Sequence, residues 1–368
     1  MLTRLLNLFR PRVPTRPYRL FQIEPTLECS LTCVMCPWTA LRPPQASMEW
    51  RTFERIIPYL PLTESVDLTG GGEPLRQPRL LDMLRTSKQA GCQVGFSTNA
   101  ALLTPHTSQA LVEAGLDWLA VSMDAATPVL YERIRQGARF ANVTGNLAAL
   151  ADLKRSRGLS APRLILVFVV MTGEQQNYHE LPDFIDLARL LGVEQVIAKN
   201  LDVILKPEDD QRRIFTHAGG SPNSPAAEIQ QAFQEAQHRA SETGINLRLY
   251  NLHPHEQTIC EHDPLHSLFF NWEGWVSPCI TLSYAEERIF AGQPVHVPCQ
   301  RFGNINTQSL DEIWNARPYH QFRQQFAARQ AAEQHATIDH LLGGPERSAS
   351  ALPPAPEGCR TCYYLYGI

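Results

Sequence analysis

An α/β fold is predicted for this chain of 368 residues, and three observations predict it. Between residues 19 and 200 short apolar runs alternate with amphipathic stretches, the pattern of repeated strand–helix units. The apolar fraction of 43% supplies a sizeable core and is incompatible with a disordered chain. Beyond residue 258 the alternation stops, and the chain becomes loop-rich and cysteine-bearing. That change marks a small metal-stapled unit.

Residues 19–23 read as the first strand and 49–60 as the first helix. Strand 66–69 is followed by helix 79–90, strand 94–97 by helix 105–114, and strand 118–123 by helix 142–157. Strand 164–170 leads to helix 179–191, and 195–198 ends the series. Repeated units of this kind need parallel strands and right-handed crossovers. Six of them give a twisted sheet or open barrel whose ligands sit at the C-terminal strand ends. Residues 206–226, with their Pro, Gly, Asn and Asp, read as a linker or loop, 227–243 as a helix and 246–250 as a strand. A hairpin is expected within 268–278, and 331–358, rich in Ala, Pro, Ser and Gly, as a partly helical insertion or a loop. The expected organisation is a tail over 1–18, a core over 19–205, a connecting loop, helix and strand that close the core over 206–257, and a C-terminal unit over 258–368. There is no internal repeat.

The formal charge is −4 and the pI about 6.3. No basic excess exists to neutralise phosphates, which argues against a nucleic-acid or anionic-membrane binder. Only Lys88, Lys154, Lys199 and Lys206 are lysines, so cationic contacts fall mainly to arginine. The longest apolar run, 164–171, is far short of the ~20 residues of a membrane span. The first residues carry Arg4 and Arg10 and no small-residue cleavage site, unlike a signal peptide. Met1, Leu2, Leu5, Leu6 and Phe9 are able to share a helical face, but a plain tail is expected. A cytoplasmic location follows as the default, and there nine cysteines read as metal ligands rather than disulfides.

The first strand runs into PTLECSLTCVMCPW, which spaces Cys29, Cys33 and Cys36 as C-x₃-C-x₂-C. Three thiolates within eight residues wrap one corner of a cubane iron–sulfur cluster and leave its fourth iron open. A structural zinc prefers four ligands in paired arms, and no second arm lies near. At the next strand end LTGGGEPL places Gly70, Gly71 and Gly72, where backbone approaches a ligand closely, before Glu73, a charged acceptor. A plain turn is the other reading.

The triad resembles the defining motif of the radical S-adenosylmethionine (radical SAM) superfamily. The resemblance implies that the open iron is chelated by the amino and carboxylate groups of SAM and that Met35 lies near the adenine. GGGE is similar to the family's GGE motif, which holds the SAM amino group. FSTNA carries Ser97 and Asn99, and AVSMDAA carries Ser122 and Asp124, at the ends of the next two strands. Hydroxyl and carboxylate groups there suit a ribose diol, although both residue types also cap helices and form turns. YERIRQGARF resembles the segment that places Arg133 or Arg135 near the SAM carboxylate or a partner; a surface arginine is the ordinary alternative.

Of the other cysteines, Cys92 reads as a small core residue. Cys260 and Cys279 flank FFNWEGWVSPC, Cys299 precedes RFGNINTQSLDEIW, and Cys359-x₂-Cys362 lies close to the last residue. These segments resemble SPASM and shorter twitch domains, which follow a radical SAM barrel and hold auxiliary 4Fe–4S clusters. The resemblance implies a partial (β/α)6 TIM-like barrel with a small C-terminal iron–sulfur domain. Five cysteines, against the seven of a full SPASM pattern, suit one auxiliary cluster on Cys260, Cys279, Cys359 and Cys362, with Cys299 spare or standing in for one of them. A structural zinc on the same four is the alternative. The two clusters would move the formal charge of −4 to roughly −7.

The expected activity is reductive cleavage of SAM to a 5′-deoxyadenosyl radical that abstracts a substrate hydrogen, with an electron donor such as ferredoxin or flavodoxin. A peptide or protein is the expected substrate, and a small molecule or a metalloenzyme cofactor the alternative. A two-cluster electron-transfer protein is the reading from another class; it leaves the GGGE turn and the Ser122/Asp124 strand end unexplained.

Overall fold

The computed structural model describes residues 15–215, 226–284, 286–341 and 352–368. Seven parallel strands follow one another in space as in sequence: β1 Tyr18–Ile23, β2 Thr63–Asp67, β3 Gln93–Thr98, β4 Trp118–Ser122, β5 Arg163–Val169, β6 Gln195–Lys199 and β7 Asn246–Leu249. Strands of a parallel sheet need crossovers, and helices Leu80–Gln89, Pro105–Glu113, Phe140–Ser156, Leu181–Leu190 and Ala226–Thr243 supply most of them. Leu119 and Val121 of β4 are fully buried, as are Leu164, Leu166 and Phe168 of β5. Phe184 of helix Leu181–Leu190 packs edge to face on Phe168, and Leu84, Leu147 and Ile185 are buried in the same core.

Element boundaries moved where turn chemistry overrode periodicity. The expected helix 49–60 divides into the α-helix Trp50–Ile56 and a 3₁₀ segment Ile57–Leu62 that contains Pro58 and Pro61. The second strand ends at Asp67 rather than 69, because Thr69 already begins the glycine turn. Among its described residues, the loop expected over 206–226 contains one helical turn, Pro207–Asp210. The N-terminal tail lies outside the described residues up to residue 14, as do 216–225 and residues 342–351 of the expected insertion. The part of that insertion up to residue 341 is the end of a long helix, Arg317–Leu341.

The sheet does not stop at β1. Strand β8, Ser267–Phe270, lies parallel to β1, and β9, Trp275–Ser277, and β12, Gly303–Asn304, continue outward antiparallel. The hairpin assigned from sequence to the C-terminal unit therefore extends the barrel sheet, giving ten strands. A separate antiparallel ribbon, β10 Glu286–Phe290 with β11 Gln293–Val297, flanks it.

Inside the barrel, Gly95 of β3 leaves room for Trp118 of β4, whose ring would stand 2.1 Å from a Cβ at that position. Asp67 of β2 points into the same interior, and its hydrogen-bond partner among the described residues is the Thr69 hydroxyl. Burial pushes its carboxyl from an ordinary 3.8 to about 7. In the long helix, Phe322, Phe326 and Arg329 recur on one face and are buried. The Arg329 guanidinium is fully enclosed and donates to the carbonyls of Thr258 (2.9 Å), Pro353 (2.6 Å) and Gln257 (2.7 Å) and to the Glu256 carboxylate (2.8 Å). It thus fastens the segments that lead to Cys260 and Cys359.

Two expectations follow. Arg329→Ala leaves three carbonyls without their donor and is expected to cost about 3 kcal/mol or more, read as early proteolysis near residues 256–260 and 353. Asp67 holds its proton more tightly folded than unfolded, so its stabilisation is complete below about pH 4 and is lost as pH rises toward 7. Asp67→Asn should flatten that decline, seen as urea midpoints compared between pH 4 and 8.

Candidate functional site

The cysteine loop leaves the end of β1 and is tied at three places. Leu27 N–H donates to the Ala46 carbonyl and Met48 N–H to that of Pro25, each at 2.8 Å, which closes the base of the loop. Thr32 and Val34 donate to the carbonyls of Gln136 and Ile134, each at 3.0 Å, which pins the middle to the end of helix Pro128–Ile134. Cys36 N–H turns back on the Cys33 carbonyl at 3.1 Å. Cys33 is buried, Cys36 half-buried and Cys29 exposed, and none is in a disulfide.

Protein donors address two of these sulfurs, and Leu31 N–H donates to Cys29 Sγ at 3.5 Å. Arg135 Nη1 stands 3.7 Å from Cys33 Sγ, and Asn99 Nδ2 stands 3.8 Å from Cys29 Sγ. Burial pushes the Cys33 thiol up to about 11, while the Arg135 guanidinium pulls it down. A cation beside Cys33 and an amide beside Cys29 fit sulfurs that would ligate an iron–sulfur cluster, since hydrogen bonds to such sulfurs tune it. Met35 lines a recess of about 400 Å³ together with Cys33 and Cys36.

The glycine turn is pressed on this loop. A Cβ on Gly72 would lie 2.6–2.7 Å from backbone atoms of residues 26–28, and Gly72 and Glu73 N–H groups donate to the carbonyls of Thr26 and Glu28. Glu73 is buried and accepts from Leu75 N–H (3.0 Å), Thr98 Oγ1 (2.6 Å) and Asn99 N–H (2.7 Å). A carboxylate offers about four acceptor positions, so most of Glu73 serves to tie the turn to the end of β3. Burial raises its pKa, with those donors opposing.

Ser122 and Asp124 part company. Ser122 faces the interior cavity, as does Ser97. Asp124 is fully buried, pairs with Arg135 Nε at 2.7 Å and accepts from Val169 N–H at 2.7 Å. Its carboxylate therefore serves the inside of the fold, a placement that two-residue alternation along β4 does not reveal. Arg135, buried between Asp124 and Cys33, is not a surface residue; Arg133 donates to the Glu174 carbonyl.

In the C-terminal unit Cys260, Cys279, Cys359 and Cys362 gather from three segments. Burial and then the charges of Cys279, Cys362 and Cys260 push Cys359 well above the ordinary thiol range. Burial and the charge of Cys279 push Cys362 up to about 12, with Arg288 opposing. Cys299 is exposed and its Sγ donates to the Ser283 carbonyl at 3.2 Å. Among the described residues no three His, Cys, Asp or Glu side chains are set for a single ion; a cubane, whose irons stand apart from one another, takes a wider set.

A cavity of about 670 Å³ connects the two regions. Trp38 and Gly70 stand on the triad side, and Tyr284, Thr281 and Tyr364 on the other. Lys199 at the end of β6 reaches Asp202 at 2.5 Å and Tyr364 Oη at 3.1 Å, which ties the barrel to the last cysteine segment. Asp67, Lys199 and Tyr284 were not among the sequence candidates. Asp67 sits at a strand end like the others and was findable there; Tyr284 depends on long-range packing.

Residues 23–188 match the family model of the radical SAM superfamily, and residues 260–337 match that of SPASM, an iron–sulfur cluster-binding domain. The chain is 28% identical over 305 residues to the tungsten-containing aldehyde ferredoxin oxidoreductase cofactor-modifying protein of Pyrococcus furiosus, covering 82% of each chain. It is 24% identical over 326 residues to the PqqA peptide cyclase of Gluconobacter oxydans, covering 84% of this chain and 80% of that one. Its fold is similar to that of Streptococcus suis SuiB bound to precursor peptide SuiA, with a TM-score of 0.61 at 14% identity over 100% of this chain and 73% of that one. The cysteine triad on a parallel barrel, joined to a second cysteine set, accordingly identifies the chain as a radical SAM enzyme with a C-terminal SPASM domain.

Proposed function

We propose that this enzyme is a maturase that oxidises a peptide or protein segment lodged between its two cysteine sites. The observation that carries the reading is the cavity of about 670 Å³, walled by the triad region on one side and by the SPASM segment on the other. The second reading is a metalloenzyme cofactor or other small molecule as substrate, which the coverage shared with the Pyrococcus furiosus protein favours.

Cys29, Cys33 and Cys36 would hold the SAM-binding 4Fe–4S cluster, and Cys260, Cys279, Cys359 and Cys362 the auxiliary one. The bound groups supply one-electron cleavage of SAM to a 5′-deoxyadenosyl radical that takes a hydrogen atom from substrate. The chain supplies placement and exclusion of water. The backbone of Gly71 and Gly72 and the remaining acceptor position on Glu73 would take the SAM ammonium, Met35 would lie toward the adenine, and Asn99 and Ser122 toward the nucleoside. Trp38 and Tyr284, edge to face with centroids 4.7 Å apart, close the cavity above the turn. Asp67, enclosed but open to the cavity, is the carboxylate suited to take the proton that oxidation releases, because burial places its pKa near working pH.

Reduced, reconstituted protein is expected to form 5′-deoxyadenosine from SAM and to carry about eight iron per chain. Changing Cys29, Cys33 and Cys36 to Ala should halve the iron and abolish cleavage. Cys279→Ser should also lose iron but keep uncoupled cleavage, whereas Cys299→Ser should keep both; iron lost from Cys299→Ser would reassign the auxiliary ligands. Deuterium carried from a labelled peptide into 5′-deoxyadenosine supports the first substrate class, and transfer from a small cofactor alone supports the second.

A further inference from the structure

Glu24 is the first residue beyond β1, and its side chain is fully buried. Its carboxylate joins three segments that are distant in sequence. Oε1 accepts from Gly71 N–H at 2.9 Å, and Oε2 accepts from Trp272 N–H at 3.2 Å and from Tyr284 Oη at 2.5 Å. Its Cγ occupies the space that a Cβ on Gly70 would need, at 2.1 Å. Gly71 in turn lies against Trp38, two residues beyond Cys36, and Trp38 packs on the ring of Tyr284.

Attaching the SPASM hairpin to the barrel does not require this carboxylate. The β1–β8 ladder already does so, and Glu24 N–H itself donates to the Phe270 carbonyl at 2.9 Å. An apolar side chain would fill the position at a lower desolvation cost. What the carboxylate adds is a shared acceptor. If the carboxylate follows one donor, it withdraws an acceptor oxygen from the others, so a shift of the glycine turn is felt at Tyr284. Tyr284 and Trp38 both line the cavity, and the Arg301 guanidinium lies 5.4 Å from the centre of the Tyr284 ring.

We propose that Glu24 is a positioning residue that couples occupancy of the glycine turn to the Tyr284 wall of the substrate cavity, so that SAM binding sets the pocket for substrate. The proposal rests on the reading that this turn seats SAM. Coupling of this kind is reciprocal: Tyr284, linked to the turn through Glu24 and Trp38, must influence SAM affinity.

The test is hydrogen–deuterium exchange over residues 271–284 of the reconstituted full-length protein with and without SAM, alongside SAM affinity by equilibrium dialysis. SAM should slow exchange there in the wild type. Glu24→Gln should abolish that protection at unchanged iron content. Tyr284→Phe, which deletes one hydroxyl and keeps the ring, should do the same and weaken SAM binding about fivefold, the lower range of measured couplings. A wild type that does not bind SAM would overturn the reading of the turn. SAM binding that leaves 271–284 unprotected in the wild type, or protection that persists in Tyr284→Phe with SAM affinity unchanged, would overturn the coupling while leaving that reading intact.

Discussion

Two backbone hydrogen bonds hold the glycine turn to the entry of the cysteine loop: Gly72 N–H to the Thr26 carbonyl at 3.1 Å and Glu73 N–H to the Glu28 carbonyl at 2.8 Å. They form only because position 72 has no Cβ, which would otherwise press on that same backbone. From this clasp the rest of the site is placed. Glu73, held by its own backbone, reaches the end of β3, and Asn99 at that end reaches Cys29. The cysteine loop meanwhile is pinned on its far side to the helix that follows β4. Segments from the ends of four strands thus converge through short polar links rather than through a continuous apolar contact.

Charge buried in this way has to be compensated locally. Arg135 lies between the carboxylate of Asp124 and the sulfur of Cys33, and Arg288 acts on Cys279 and Cys362 while paired with Glu286. Each cysteine set therefore has an enclosed arginine close to it, and the second set has Arg329 beside Cys359 as well. Burial alone would keep these thiols protonated; a guanidinium and a bound cluster both favour the thiolate. With only four lysines in the chain, the task falls to side chains whose charge does not titrate in this range.

The continuation of the barrel sheet through β8 and β9 gives the SPASM unit its functional position. A domain attached by a linker would meet the barrel at a variable angle, whereas one sharing a hydrogen-bonded ladder with β1 is registered to it. Tyr284 and Tyr364 consequently face Ser97 and Ser122 across one cavity, and Lys199 and Asp202 hold Tyr364 from the barrel side. That registration is what sets the shape of the cavity between the two cysteine regions.

By itself the sequence determined the chemistry and the local elements. The spacing of Cys29, Cys33 and Cys36, the glycine turn after the second strand and the alternation of strands and helices are short-range patterns, each fixed by residues within a few positions of one another. Tertiary structure decided the partnerships. Asp124 lies two residues beyond Ser122, yet Arg135 and Val169 draw it inward. Cys299 follows Cys279 as plausibly as Cys359 does, yet only the latter turns toward the other thiols. The hairpin reads as part of a separate unit, yet the exposed ladder of β1 offers unpaired backbone groups that β8 satisfies. Such outcomes are set by which groups meet across hundreds of residues once the core closes, and a buried donor or acceptor must find its partner among whatever the fold has brought near.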